Sequence, residues 1–252
     1  MTPWNIFILL FSLATSFFSH ANSIPALIKK TKPSVVAIGI YNPNTAPRLT
    51  LVGTGFVVPP GDQVLTNEHV IQKTLNSMQK EHYVVVSGQG ENATIHPIKA
   101  IRTERKYDMA LLDITATLPA LELQLQPLVE EGTHVIFTGY PISQILGLYP
   151  TTHQGMVSSV NPVILPALHT SVLDARSVRQ LRDPFMIYQL DATAYPGNSG
   201  SPVLSVETGK VIGIINMVLL KAGKESALTD PSGISYAIPI QHITPLREKT
   251  PQ

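Results

Sequence analysis

Short apolar runs bounded by turn residues recur along most of the chain. KPSVVAIGI (32–40), MALLDIT (109–115) and KVIGIINMVLL (210–220) are examples, and each is long enough for one β-strand. A helical period is limited to Val70–Lys80 and a short tail near Ile243–Lys249. The pattern therefore predicts an all-β protein of the barrel or sandwich class.

The series of strand-like runs is interrupted at TATLPALELQLQPLVEEG (115–132), where Pro, Leu and Glu mix. We expect the boundary between two halves of about six strands each in this segment. The predicted units are residues 24–122 and residues 123–252. A second irregular stretch, LPALHTSVLDARSVRQLRDPF (165–185), interrupts the second half, and no internal repeat is visible in the letters.

The first residues form a segment of a different kind, residues 1–23. An apolar core from Ile6 to Phe18 is too short for a bilayer span and is followed by small residues, although no Lys or Arg precedes it. This predicts a signal peptide cleaved near Ala21–Ser23, a periplasmic or secreted protein, and no stable membrane insertion after cleavage. The alternatives are an uncleaved membrane anchor and a buried first strand or helix.

Composition removes several classes of function. The 252 residues are 44% hydrophobic and 14% charged with a net charge of +1, so charge indicates neither disorder nor a nucleic-acid partner. The absence of cysteine excludes disulfides, thiolate nucleophiles and cysteine-bound metals. The eight histidines show no metal-binding spacing, so we predict no metal and no cofactor.

Three residue types that suit nucleophilic catalysis occur beside predicted strands. His69 in TNEHV follows an apolar strand, Asp108 in YDMALLD precedes one, and Ser199 in PGNSGSP lies in a glycine-rich turn. Serine needs a base during attack, histidine titrates near neutrality, and a buried carboxylate can orient the imidazole. Each motif alone is common, but their joint occurrence in these contexts favours a catalytic site.

The glycines around the serine have a use of their own. Gly197 and Gly200 allow the turn to curl so that backbone amides converge on a developing oxyanion. Asp113, at the end of the strand that Asp108 begins, is the other carboxylate of this segment.

Eight motifs along the chain can be compared with known families. They are VGTGFVV (52–58), VLTNEHV (64–70), YDMALLD (107–113), TGYP (138–141), GMVSSV (155–160), DATAYPGNSGSPV (191–203), VIGIIN (211–216) and SYAIPI (235–240). Together they resemble the chymotrypsin-like serine peptidases, and specifically the protease domain of the HtrA (DegP-like) family. The resemblance covers about residues 26 to 245, and it implies two six-stranded β-barrels with the active site in the cleft between them.

The resemblance also assigns roles. It implies that His69 is the general base, Asp108 the acid that orients it and Ser199 the nucleophile. Because the family motif places its acid just before the apolar strand, the resemblance favours Asp108 over Asp113. The amides of the turn formed by Gly197, Asn198 and Ser199 would supply the oxyanion hole.

Substrate contacts are implied on the strand VIGIIN (211–216), which would add the substrate backbone as a further strand. The substrate-binding residues expected from the resemblance are Thr193, Ile214, Ile215 and Asn216. Because Thr193 stands where trypsin-like enzymes carry an acid, a preference for Lys or Arg is unexpected. Small or aliphatic side chains are expected at the cleaved position instead.

The chain departs from the family pattern in two ways. Ser201 stands where the family has glycine, and we expect no PDZ domain after SYAIPI. HtrA-like domains commonly trimerise, so a homotrimer is one expectation of the resemblance. The stretch 165–185 falls where relatives carry loops around the active site.

The leading hypothesis is an exported serine endopeptidase acting on unfolded or extended polypeptides. One alternative is a catalytically silent relative that binds a peptide or a partner. A non-protease hydrolase with the same triad, such as an esterase, is the other. A structural coat or adhesion protein would leave the His-Asp-Ser constellation unexplained.

Overall fold

The computed structural model describes residues 23–142, 147–163, 184–217 and 233–250. Its strands form two closed antiparallel barrels of six strands each. This confirms the predicted all-β fold and its two six-stranded barrels. None of the helices in the described part of the chain is long and apolar enough to cross a membrane.

The first barrel contains the strands before the 115–132 segment. Their order around the barrel is β1-β2-β3-β6-β5-β4. The strands are β1 (Val35–Tyr41), β2 (Leu49–Val58), β3 (Gln63–Thr66), β4 (His82–Ser87), β5 (Thr94–Glu104) and β6 (Met109–Ile114).

The second barrel has the same strand order, read in the opposite direction: β10-β11-β12-β9-β8-β7. The architecture is thus repeated although the letters show no repeat, because packing requires apolar periodicity and not identical residues. The strands are β7 (His134–Gly139), β8 (Thr151–Pro162), β9 (Met186–Asp191), β10 (Pro202–Ser205), β11 (Val211–Ile215) and β12 (Ile234–Pro239).

Each barrel has its own apolar core, and a third cluster joins the two. Val36 and Leu112 belong to the core of the first barrel, and Tyr188 and Leu190 to that of the second. The joining cluster takes side chains from both barrels, and burying each contributes about 1.5–3 kcal/mol. It includes Phe56, Leu65, Leu111, Ile136, Leu204 and Ile214.

The connecting segment crosses from one barrel to the other. The amide of Leu121 donates to the carbonyl of Val57 at 3.0 Å, and the amide of Gln124 donates to the carbonyl of Val211 at 2.8 Å. The expected boundary between residues 122 and 123 lies between these two hydrogen bonds.

Helices differ from the sequence expectation in two places. Helix α1 (Ile24–Thr31), capped by Ser23, was not predicted, because the strand-like run that follows it dominates the local pattern. The expected helix over Val70–Lys80 is wrong: that segment contains two short 3₁₀ helices, Glu68–Ile71 and Ser77–Gln79.

The helical tail is present as α2 (Thr244–Glu248), but it does not pack with the second barrel alone. Beyond it, the Lys249 Nζ donates to the carboxylate of Glu104 and to the carbonyl of Thr103, both at 2.7 Å. Lys249, near the end of the predicted unit 123–252, therefore contacts β5 of the first barrel.

Candidate active site

The three residues singled out in the sequence meet where the two barrels face each other. His69 Nδ1 lies 2.6 Å from Asp108 Oδ2, and His69 Nε2 lies 2.9 Å from Ser199 Oγ. Histidine and aspartate come from the first barrel and serine from the second. The imidazole therefore contacts the carboxylate at one nitrogen and the hydroxyl at the other.

Asp108 is held by its backbone as well as by its side chain. It adopts the left-handed conformation with φ +50°, which is uncommon for a residue other than glycine. Its carbonyl accepts the side-chain amide of Asn67 at 3.1 Å and the backbone amide of Glu68 at 3.1 Å. Because both donors immediately precede His69, the position of the carboxylate is tied to the segment that carries the base.

The carboxylate oxygens of Asp108 have further donors. Oδ1 accepts the backbone amide of His69 at 2.9 Å, and Oδ2 accepts Asn216 Nδ2 at 2.7 Å. The carboxylate is thus bonded both to the segment that carries His69 and to Asn216 of the other barrel. These bonds fix its orientation beside the imidazole.

The turn that carries Ser199 requires glycine on both sides. Gly197 has φ +101°, and a Cβ there would lie 2.3 Å from the carbonyl oxygen of Tyr140. Gly200 has φ +89°, and a Cβ there would lie 1.9 Å from the carbonyl oxygen of Thr54. Only glycine fits both the backbone conformation and the space.

The amides of this turn divide into two kinds. Those of Gly197 and Ser199 donate to no acceptor within the described residues. The Asn198 amide instead donates to the carbonyl of Tyr195 at 2.9 Å. Asn198 is therefore removed from the expected oxyanion donors, because its amide is already used to close the turn.

Thr54 on β2 supports the turn, and the sequence analysis assigned it no role. Its Oγ1 donates to the carbonyl of Gly197 at 2.7 Å and accepts the amide of Tyr140 at 2.9 Å. Its own amide donates to the carbonyl of Ser199 at 2.9 Å. The motif VGTGFVV contained this residue, but a threonine inside a strand carries no signal of contacts so distant in sequence.

The expected specificity residues Ile214 and Ile215 need correction. Both side chains are completely buried, Ile214 in the cluster between the barrels and Ile215 in the core of the second barrel. They are packing residues and cannot touch a substrate side chain. The cause is their position on an interior strand, where both faces are covered.

Asn216 and Thr193 differ from this pair. Asn216 is buried and directs its side chain at Asp108, so it contacts the proposed acid and not a substrate. Thr193 is partly exposed and lies just before the turn that carries Ser199, and its contact with substrate stays a prediction.

Strand addition along residues 211–216 also needs correction. β11 pairs with β10 on one side and with β12 on the other. The Ile215 amide and carbonyl bond to Ser201 and Gly200, and the Asn216 amide donates to the carbonyl of Tyr236. Over Gly213–Ile215 both edges of the strand are therefore paired, and a substrate strand cannot add there.

Ser201, the departure from the family pattern, is accommodated by a neighbouring glycine. A Cβ at Gly139 would lie 2.0 Å from Ser201 Oγ, so the hydroxyl occupies the space that a side chain there would fill. Asp113, the rejected acid, pairs with Arg102 and accepts Gln63 Nε2 at 3.0 Å. In the described ranges, no three His, Asp or Glu side chains cluster to hold a metal ion.

Residues 53–214 match the family model described as the trypsin-like peptidase domain, and the chain belongs to this family. It is 30% identical over 188 residues to the "Probable periplasmic serine endoprotease DegP-like" of Chlamydia pneumoniae, covering 74% of this chain and 32% of that protein. It is 31% identical over 229 residues to "Serine protease HTRA1B" of Danio rerio, covering 88% of this chain and 40% of that protein.

The fold is similar to solved peptidase structures. The active form of the Rv3671c protease from M. tuberculosis superposes with a TM-score of 0.61 at 22% identity, over 87% of this chain and 82% of that one. The relatives by sequence are HtrA and DegP serine proteases, as the motifs indicated. The chain spans only 32–40% of the length of these two curated relatives.

Proposed function

We propose that this protein is an exported serine endopeptidase that hydrolyses peptide bonds with His69, Asp108 and Ser199. The observation that carries the proposal is the imidazole of His69 within 2.6 Å of Asp108 and 2.9 Å of Ser199. Membership of the trypsin-like peptidase family supports it independently. A silent binding module would have no need for this arrangement.

In the first step, Ser199 Oγ attacks the carbonyl carbon of the substrate while His69 Nε2 takes the hydroxyl proton. Asp108 holds the ring with Nδ1 protonated and stabilises the imidazolium. The carbonyl oxygen becomes an oxyanion, and the amides of Gly197 and Ser199 are the donors for it.

The intermediate then collapses as the carbon–nitrogen bond breaks. The imidazolium gives its proton to the leaving amine, and the acyl group stays on Ser199. Water next attacks the ester with His69 as base, releases the carboxylic acid and returns the proton to the serine. His69 thus takes up one proton and releases one proton in each half of the reaction.

The recessed position of the hydroxyl supports an extended substrate. Ser199 is 6% exposed between the barrels, so a peptide bond must enter the cleft to reach it. A folded chain presents few segments able to do so. The proposed location, periplasmic or secreted, is supported by the word "periplasmic" in the names of DegP-like relatives and by the apolar segment at residues 6–18. That segment lies outside the described residues.

Covalent labelling tests the proposal directly. The protein is incubated with a fluorophosphonate and its intact mass measured, beside the Ser199→Ala variant and a protein heated before labelling. One adduct on the native protein, lost in both controls, is the expected result. Digestion of unfolded casein by the same samples tests the peptidase activity. No adduct on the folded native protein would contradict an activated serine and favour the silent relative.

A further inference from the structure

His153 on β8 lies beside the turn that carries Ser199 and is not one of the three proposed catalytic residues. Its ring stacks on Phe137 with the centroids 4.9 Å apart and the planes 20° apart, and it lies 5.8 Å from the ring of Tyr195. Burial lowers the pKa of His153 below its ordinary value, so the neutral ring is favoured.

The polar neighbour of this ring is the side chain of Asn198. Asn198 Nδ2 lies 3.5 Å from His153 Nε2, at the long end of hydrogen-bond distances. Asn198 is completely buried, and its Oδ1 meets no donor within the described chain. Among the described groups, His153 is therefore the only hydrogen-bond partner of this side chain.

The contact matters because of where Asn198 lies. It stands between Gly197 and Ser199, whose amides are the proposed oxyanion donors. Its backbone amide closes the turn onto Tyr195, while its side chain reaches across to β8. A shift of the Asn198 side chain would therefore move the peptide groups on either side of it.

We propose that His153 is a positioning residue for the proposed peptidase reaction: as a neutral acceptor for Asn198 it holds the turn that presents the Gly197 and Ser199 amides. Protonation of His153 turns its Nε2 into a donor, which then faces another donor, Asn198 Nδ2. The Asn198 side chain then loses its partner among the described groups, while the contacts of Thr54 with the turn remain. The kinetic effect of this contact rests on the proposed function. The contact between His153 and Asn198 is independent of that function.

Within the described part of the chain, the side chains recorded against the His153 ring are uncharged. Phe137 faces the ring from β7, and Tyr195 and Asn198 face it from the turn. The Tyr195 phenol is the only other titratable side chain among these. Burial alone lowers the pKa of His153, without a contribution from a charged side chain.

Kinetics on unfolded casein test the positioning role with three variants. His153→Leu removes the acceptor, His153→Gln keeps an acceptor that does not titrate, and His134→Gln is the control, an exposed histidine of the same barrel. For His153→Leu we expect kcat to fall about tenfold with KM within about twofold, less than the loss of a whole oxyanion donor. His153→Gln should stay within about threefold of the native protein, and the control should be unchanged.

The acid limb of the pH profile separates positioning from mere packing. In the native protein, protonation of His153 should add a loss of up to about tenfold in kcat/KM on the acid side. In His153→Gln, where residue 153 does not titrate, this extra loss should be absent. An unchanged kcat in His153→Leu, or the same acid limb in the native protein and His153→Gln, would overturn the proposal. Equal losses in both variants together with lower melting temperatures would do the same.

Nitrogen NMR on the native protein tests the contact without any turnover. A neutral His153 that accepts at Nε2 must carry its proton on Nδ1, and its ring ¹⁵N shifts should show that tautomer. The opposite tautomer would overturn the proposal whatever the kinetics. If native protein neither digests casein nor labels with fluorophosphonate, the proposed function fails while the tautomer still decides the contact.

Discussion

Asn216, at the end of β11 in the second barrel, donates its side-chain amide to Asp108 of the first barrel at 2.7 Å. The acid proposed to orient His69 is thus held partly from the barrel that carries Ser199. This bond ties the relative position of the barrels to the geometry of the triad. It also explains why a residue expected to bind substrate is buried.

Replacing Asn216 with alanine should weaken catalysis through Asp108. We expect kcat on casein to fall about tenfold with a smaller change in KM, because loss of one donor frees the carboxylate to tilt the imidazole. Loss of a buried hydrogen-bonding side chain should also cost about 1–3 kcal/mol in the free energy of unfolding. Asn161→Ala, on the partly exposed end of β8, is the matched control. Native kcat in Asn216→Ala would show that the bond has no catalytic role.

Thr54→Val tests whether the hydrogen bonds of the Thr54 hydroxyl, and not the volume of the side chain, support the turn that carries Ser199. Valine fills nearly the same volume but leaves the Gly197 carbonyl and the Tyr140 amide without their partner. We expect a loss of about 1–3 kcal/mol in urea denaturation and a kcat at least tenfold lower. Thr54→Ser keeps the hydroxyl and should retain more than half of the native kcat. Equal behaviour of the two variants would mean that the hydroxyl does not support the turn.

Gly200→Ala should be far more damaging than Gly132→Ala. Both residues have positive φ, +89° and +87°, so both pay the backbone strain of about 1–2 kcal/mol. Only at Gly200 would the new Cβ meet an atom, the Thr54 carbonyl oxygen at 1.9 Å, whereas nothing lies within 4 Å at Gly132. Urea denaturation should show a loss above about 4 kcal/mol for Gly200→Ala. Similar losses for both would show that the turn can relax.

His242 should make the stability of the fold depend on pH. Burial, and then the charge of Lys106, lower the pKa of His242 to about 4 in the folded protein, against 6.5 in an unfolded chain. Between these values the unfolded state binds more protons, so the free energy of unfolding falls as pH drops from about 6.5 toward 4.

The His242→Phe variant tests this dependence. Phenylalanine preserves the stacking on Tyr107, where the ring centroids are 3.9 Å apart, but it does not titrate. Denaturation midpoints between pH 4 and 7 should therefore vary less in His242→Phe than in the native protein. His134→Gln, at an exposed histidine, should leave the native slope intact. A native slope in His242→Phe would assign the pH dependence to other groups.

The strands and the three proposed triad residues could be predicted from the sequence because their signals are local. Short apolar runs bounded by turn residues mark the strands, and the flanking residues place His69 and Asp108 at strand ends and Ser199 in a turn. The pairing of these three was an inference from chemistry, and their separation in sequence gave no distance. Their approach depends on how the barrels pack.

The predictions that the structure corrected concern residues whose neighbours in space are far away in the sequence. Ile214 and Ile215 carry no mark of being covered on both sides, and that follows only from the order β10-β11-β12. Helix α1 has eight residues and was hidden by the stronger strand pattern beside it. The use of the Asn198 amide within the turn depends on a backbone conformation that the letters GNSG leave open.

The sequence by itself determined the class of fold, the three proposed catalytic side chains and the need for glycine around Ser199, because periodicity and side-chain chemistry are properties of short segments. Only the tertiary structure decided which groups hold them. Thr54, Asn216 and His153 contact the site across long stretches of chain. Such contacts arise when the two barrels close on each other, and no local pattern encodes them.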